Sequence, residues 1–232
     1  MDLVEQFSAD VAHEIKNPLT SIKSAIETAI KIDDANQRND LMKIVMDDVN
    51  RLDRLITDIS ELSRVDAELS KANFLEVDLS QTLKSFEQLY NQTVGDKGSK
   101  LLITLHKPHS FFVMGIEDRL VQVLRNLVEN AQSFSPPHDT IRVDVRKIEN
   151  KVQIIVEDKG PGISPESLDR IFQRFYQDRQ KKEEFGNHSG LGLNICEQIV
   201  ELHNGRIWAE NITKKNNSIL GARFIVEIPS LE

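Results

Sequence analysis

Four stretches of this 232-residue chain have residue types and spacings that could do chemistry. The first is His13-Glu14-Ile15-Lys16-Asn17-Pro18. A neutral imidazole nitrogen is a nucleophile, and an adjacent carboxylate can favour its reactive tautomer and take up a proton. Asn17 lies four residues after His13, on the same face of a helix. The second is Asn126 and Asn130, again at i, i+4. Two amides on one helix face can offer oxygens to a hydrated Mg²⁺, or simply form a polar surface. The third, Asp158-Lys159-Gly160-Pro161-Gly162-Ile163, follows an apolar run over 152–156. It reads either as an ordinary turn or as a carboxylate aimed at a purine amino group, with glycines letting backbone approach a ligand. The fourth, Ser189-Gly190-Leu191-Gly192-Leu193, precedes an apolar helical run to Leu202. Glycines at a helix start present amides and a positive dipole end to phosphates. Neither a GxxxxGK[ST] loop nor a GxGxxG fingerprint is present.

Two kinds of chain carry these stretches. The first of the ten glycines is Gly95, Pro18 is the one proline before Pro108, and Phe7 is the one aromatic in residues 1–72. A long segment without glycine or turn clusters reads as helix. Val4, Phe7, Val11, Ile15, Ile22, Ile26 and Ile30 follow helical spacing. After the polar Asp33-Asp34-Ala35-Asn36, Leu41, Val45, Val49, Leu52, Ile56 and Ile59 resume it. This is a helical hairpin with arms of ~30 residues, or ~45 Å at 1.5 Å per residue. Two such helices cannot cover each other's apolar stripes, so a second copy completing a four-helix bundle is expected. His13 sits two residues from both Val11 and Ile15, or ~200° around the helix, which points it at solvent. An exposed helical histidine is ordinarily just solvated. Here, however, Pro18 lies within the same helical pattern, where proline costs ~3 kcal/mol. A zinc-protease HExxH reading of His13-Glu14 fails because position 17 is Asn.

The remainder reads as helices over 79–93, 117–133 and 191–203. Strand-like runs cover 101–106, 111–115, 141–148, 152–157, 206–210 and 222–228, with a hairpin at Glu149-Asn150. That mixture favours an α/β sandwich with helices on one face of a mixed sheet. The domains expected are a hairpin at 1–70, a linker at 71–78 and an α/β domain at 79–232. Net charge is −8, from 29 basic and 37 acidic residues, which argues against a nucleic-acid binder. The lone Cys196 excludes a disulfide framework. No run approaches the ~20 apolar residues of a bilayer span, so the chain as given is expected to be soluble.

The stretch Phe7-Ser8-Ala9-Asp10-Val11-Ala12-His13-Glu14-Ile15-Lys16-Asn17-Pro18-Leu19-Thr20 resembles the H-box of bacterial sensor histidine kinases. Asn126/Asn130, Asp158-x-Gly160-x-Gly162, Phe172-Gln173-Arg174-Phe175 and Gly190-x-Gly192 resemble, in order, the N, G1, F and G2 boxes of that family. The resemblance covers nearly the whole chain. It implies a dimerisation and phosphotransfer hairpin followed by an ATP-binding domain of the Bergerat type. ATP would donate its γ-phosphoryl group to His13, with Glu14 as base, and an aspartate of a response regulator would receive it. Asn17 would orient water for dephosphorylating that regulator. Asn130 would be the main Mg²⁺ ligand, with Asn126 supporting. Asp158 would bind the adenine amino group, Gly160 and Gly162 would shape the nucleotide wall, and Gly190, Leu191 and Gly192 would face the phosphates. Residues 176–189 would form a lid, and residues 70–78 a joint between domains. The hairpin sequence and Phe134-Ser135-Pro136 are similar to the alphaproteobacterial ChvG/BvrS-type subfamily. By this resemblance the chain is the cytoplasmic portion of an inner-membrane receptor.

Two positions depart from the family pattern. Ser133 stands where many members carry Lys, leaving Arg125, Arg174, Arg179, Lys181 or Lys182 as substitute phosphate contacts; Arg174 reads equally as an inter-domain contact or a surface ion pair. His188 stands where a glycine often opens the G2 box. A dimeric scaffold with a degenerate pocket is therefore the competing reading. Another Bergerat ATPase, of gyrase, chaperone or mismatch-repair type, would leave His13 and the Asn17-Pro18 step unexplained.

Overall fold

The computed structural model describes residues 3–68, 73–94, 98–106, 111–176, 189–214 and 218–231. The chain divides into two units, Met1–Ser63 with Arg174–Leu191, and Arg64–Gln173 with Gly192–Glu232. No described helix is long and apolar enough to cross a membrane.

The first unit is built on helix α1 (Leu3–Ala29) and the first 29 residues of α2 (Ala35–Glu68). The turn between them closes on Asp34, whose Oδ1 accepts from the Asn36 and Gln37 amides at 2.7 and 3.3 Å. This satisfies donors that a helix start leaves unpaired. α1 continues through Pro18, which removes the bond to the Glu14 carbonyl without ending the helix. The proline ring is buried, together with Ala25, Ala29, Leu55 and Leu62. Small residues thus line part of the inner seam. Several positions of the expected apolar stripes stay exposed, among them Ile26, Ile30, Val49 and Ile56.

The second unit contains β1 (Leu75–Asp78), α3 (Leu79–Thr93), β2 (Lys100–Leu105), β3 (Phe112–Gly115) and α4 (Glu117–Phe134). β4 (Thr140–Ile148), β5 (Lys151–Glu157), α5 (Gly192–Leu202), β6 (Arg206–Thr213) and β7 (Ile219–Pro229) follow. β1 pairs antiparallel with β3 as a separate ribbon. The main sheet runs β2-β4-β5-β7-β6, parallel only between β2 and β4. The α/β sandwich with a mixed sheet is therefore present. Alternation sets the layers. Ile141, Val143, Val145, Val152, Val156, Phe224, Val226 and Ile228 are buried, facing a core shared with Leu83, Leu124 and Leu127. On the opposite face the cross-strand row Arg142, Glu157, Arg223, Glu210 alternates in charge. The β4–β5 turn places Glu149 at φ +54°, as the expected hairpin at Glu149-Asn150 requires.

The structure adds to the expected elements at two places and trims them at a third. β1 lies inside the stretch read as linker, because four residues are too few to show a period. β6 and β7 are longer than 206–210 and 222–228, since a register shift at Ile212/Thr213 lets pairing continue past Gly221. α5 begins at Gly192 rather than residue 191.

Candidate active site

In the first unit, α1 holds His13 and Asn17 exposed and Glu14 half-buried. Glu14 Oε2 lies 3.1 Å from an Arg51 guanidinium nitrogen of α2. The carboxylate next to His13 is therefore anchored across the hairpin, a pairing 37 residues apart that the sequence reading missed. The same unit holds Arg174, Gly190 and Leu191. Arg174 stacks its guanidinium over the Phe7 ring at 5.2 Å, and Phe175 stacks on Phe7 at 6.0 Å. An arginine expected as a phosphate contact thus has a cation–π partner in α1. Ser189 is buried and its hydroxyl donates to the Asp58 carboxylate. Burial pushes the Asp58 carboxyl up from its ordinary value, against the opposing pull of that hydrogen bond. The Ser189 Oγ also accepts from the Leu191 amide at 3.1 Å, and Gly190 turns at φ +76°.

In the second unit, α4 carries Asn126 and Asn130, both half-buried. Asn126 Nδ2 donates to the Gly192 carbonyl at 3.1 Å, which leaves the amide oxygen as its ligand-capable atom. Ser133 bonds its own helix, donating to the Glu129 carbonyl at 2.8 Å. Arg125 is exposed.

Asp158 directly follows β5 and is buried. Its Oδ1 accepts from the Gly160 amide at 2.7 Å and the Ala222 amide at 3.1 Å. Its own amide donates to the Ala222 carbonyl at 3.0 Å. A carboxylate bonded by two amides is held in one direction, which an adenine-reading group needs. A Cβ on Gly160 would stand 2.7 Å from the Phe134 carbonyl, so this close approach of backbone to α4 requires glycine. Gly162 has φ +76°, and the Ile163 amide after it donates to Asn211 Oδ1 at 2.7 Å. Gly221 backs the Asp158 carbonyl so closely that a Cβ would overlap it. Ala222, Gly221 and Asn211 were not singled out from the sequence. Their roles come from pairing between β6 and β7 and a crossing to a loop about 50–60 residues earlier.

The structure thus gathers Asn126 with Gly192, and Asp158 with Gly160, in the second unit. His13, Glu14, Asn17, Gly190 and Leu191 belong to the first. The expected lid over 176–189 falls mostly on 177–188, which lie outside the described residues, as do Arg179, Lys181, Lys182 and His188. Residues 70–72 of the expected joint lie outside them as well. Among the described residues no group of three or more His, Cys, Asp or Glu could hold a metal ion. The Mg²⁺ reading therefore rests on amide oxygens, which suit a hard cation that keeps most of its waters.

Residues 115–232 match the family model of histidine kinase-, DNA gyrase B- and HSP90-like ATPases, and residues 3–68 match the His Kinase A phospho-acceptor domain. Both models in this order on one chain show that it belongs to the sensor histidine kinases. Within that class it is 46% identical to sensor protein ChvG of Rhizobium meliloti (strain 1021), over 98% of this chain and 40% of that protein. It is 43% identical to sensor protein ChvG of Agrobacterium fabrum, over 100% of this chain and again 40% of the relative. The chain thus spans about two fifths of the length of these curated relatives. Among solved structures, histidine kinase ThkA in complex with response regulator protein TrrA aligns at a TM-score of 0.73 and 29% identity. That alignment covers 97% of this chain and 61% of the ThkA chain.

Proposed function

We propose that this chain is the catalytic portion of a two-component sensor kinase, which transfers the γ-phosphoryl group of ATP to His13 and from there to an aspartate of a response regulator. The observation that carries the reading is that one chain carries both an exposed His13 beside a carboxylate anchored by Arg51 and, in its other unit, a buried Asp158 held by two backbone amides. An unprotonated imidazole nitrogen attacks the γ-phosphorus; the N–P bond forms as the bond to the ADP oxygen breaks. The imidazole proton passes to Glu14. Because phosphoryl transfer is dominated by positioning and charge neutralisation, the remaining residues act as holders. Asp158 takes the adenine amino group against Gly160 and Gly162. Gly190, Leu191 and Gly192 offer amides at the start of α5, where the dipole favours phosphate. The amide oxygens of Asn130 and Asn126 would hold Mg²⁺, which when bound neutralises phosphate charge. Arg174 is available to phosphate only once it leaves the Phe7 ring.

The domain limits are 1–70 for the phospho-acceptor hairpin, 71–78 for the joint and 79–232 for the ATP-binding part. The exposed Ile26, Ile30, Val49 and Ile56 support dimerisation through residues 1–70. The response regulator docks on the hairpin near His13. Asn17, exposed one turn from His13, places water for dephosphorylating it. The likeness to ChvG supports a cytoplasmic place beneath an inner-membrane sensor.

The test is incubation with γ-labelled ATP and Mg²⁺, with wild type beside His13→Gln. Acid-labile, alkali-stable label present in wild type and absent in His13→Gln is the expected result. No label in wild type with nucleotide still bound would favour the scaffold reading. Asn17→Ala is expected to keep autophosphorylation and lose phosphatase stimulation.

A further inference from the structure

The segment Asp158-Lys159-Gly160-Pro161-Gly162-Ile163 is tied down at both ends by one cross-strand pair. Asn211 of β6 and Ala222 of β7 are direct partners in the sheet. Ala222 holds the upstream end, exchanging amide and carbonyl bonds with Asp158 at 3.0 and 3.1 Å. Asn211 holds the downstream end. Its Oδ1 accepts from the Ile163 amide and its Nδ2 donates to the Ile163 carbonyl, both at 2.7 Å. One side-chain amide thereby reproduces the two bonds a neighbouring strand would make to Ile163. Its reach matters because Gly162, at φ +76°, lies immediately before Ile163 and would otherwise leave the backbone free to swing. A Cβ at Gly162 would also stand 2.7 Å from Asn211 Oδ1, so the two residues fit each other closely.

We infer that Asn211 is a positioning residue for nucleotide binding, acting through Ile163 to set the Asp158–Ile163 segment in its ligand-ready shape. The inference rests on the reading of that segment as the adenine wall. Asn211 touches no reacting group. The wall meets the part of the nucleotide that does not change during transfer, so its contacts are equal in the ground and transition states. Losing them weakens binding and leaves turnover of the bound complex intact. A purely architectural side chain would instead lower thermal stability and leave the affinity of the folded protein untouched.

The experiment measures autophosphorylation against ATP concentration, with thermal melting alongside, for the full chain and for Asn211→Ala, Asn211→Asp and Asp158→Asn. Asn211→Ala is expected to raise KM for ATP about tenfold with kcat within about twofold. Asn211→Asp matches the size of Asn211 but sets a carboxylate against the Ile163 carbonyl, and should raise KM as well. It decides the matter if the alanine variant does not fold. An unchanged KM in folded Asn211 variants, or a fall in kcat at constant KM, while Asp158→Asn raises KM, overturns the role of Asn211 alone. If Asp158→Asn also leaves KM unchanged, the adenine-wall reading falls, and this inference with it.

Discussion

Asn126 and Gly192 are joined side chain to backbone: the Asn126 amide nitrogen donates to the Gly192 carbonyl at 3.1 Å, binding α4 to the first residue of α5. α4 carries the proposed Mg²⁺ ligands and α5 opens at the proposed phosphate amides. The bond therefore fixes the spacing between them. Asn126→Asp turns the donor into a carboxylate facing a carbonyl. Affinity for ADP·Mg²⁺, measured by calorimetric titration, is expected to fall about tenfold, equivalent to ~1.4 kcal/mol. Unchanged affinity in a folded variant would separate the tie from nucleotide binding.

Gly221→Ala tests the backbone behind Asp158 in the proposed nucleotide site. The new methyl would overlap the Asp158 carbonyl oxygen, and the Ala222–Asp158 bonds on its far side oppose any shift. Overpacking of this kind costs roughly 1–3 kcal/mol. Thermal melting should show that loss, and ATP affinity should fall with it. A variant as stable as wild type would mean that the strand end yields easily.

His203 gives the second unit an acid sensitivity. Its Nε2 accepts from the Ile116 amide at 3.0 Å, its Nδ1 meets the Ile199 carbonyl at 2.7 Å, and Phe74 packs on the ring. These partners select the neutral Nδ1–H form. Burial lowers the His203 pKa from its ordinary value near 6.5, against the opposing Ile199 bond. A depressed histidine favours folding fully above its unfolded pKa and loses that contribution as pH falls through the folded value. Between pH 7 and pH 5 the melting temperature of wild type should therefore fall more steeply than that of His203→Gln. Parallel curves would assign the acid sensitivity to other groups.

Cys196 should be silent in the native protein. It is fully buried, and burial pushes its thiol up to about 12. The thiolate is the reactive species, so alkylation at pH 8 should follow unfolding of the α/β unit. Rapid labelling of the folded chain would contradict this burial.

What the sequence disclosed depended on whether the signal was local. His13 faces solvent because a two-residue step on a helix is geometry that any window contains. The Glu149 turn was visible for the same reason, between two alternating runs. The inner seam of the hairpin was harder to read, since Pro18, Ala25 and Ala29 line it and small residues add little to a hydrophobic period. Strand β1 was too short to declare itself. The Arg51 partner of Glu14, the Asn211 clamp on Ile163 and the Ala222 amide on Asp158 lie 37, 48 and 64 residues from what they hold. No spacing rule within one element reaches that far. The boxes named the candidate ligand residues, and the sheet registry decided what keeps them in place.

The sheet order carries a consequence for how the protein is made. β7 is an interior strand, flanked by β5 and β6, yet it follows both in the chain. Its Ala222 and Gly221 also close the floor under Asp158. A chain emerging from the ribosome can form the α1–α2 hairpin early, from contacts close in sequence. β5 and β6 must meanwhile wait with open edges, which is the state most exposed to wrong pairing. Synthesis thus completes the hairpin that carries the proposed acceptor His13 before it completes the proposed nucleotide site, whose backing behind Asp158 stays open until β7 has inserted.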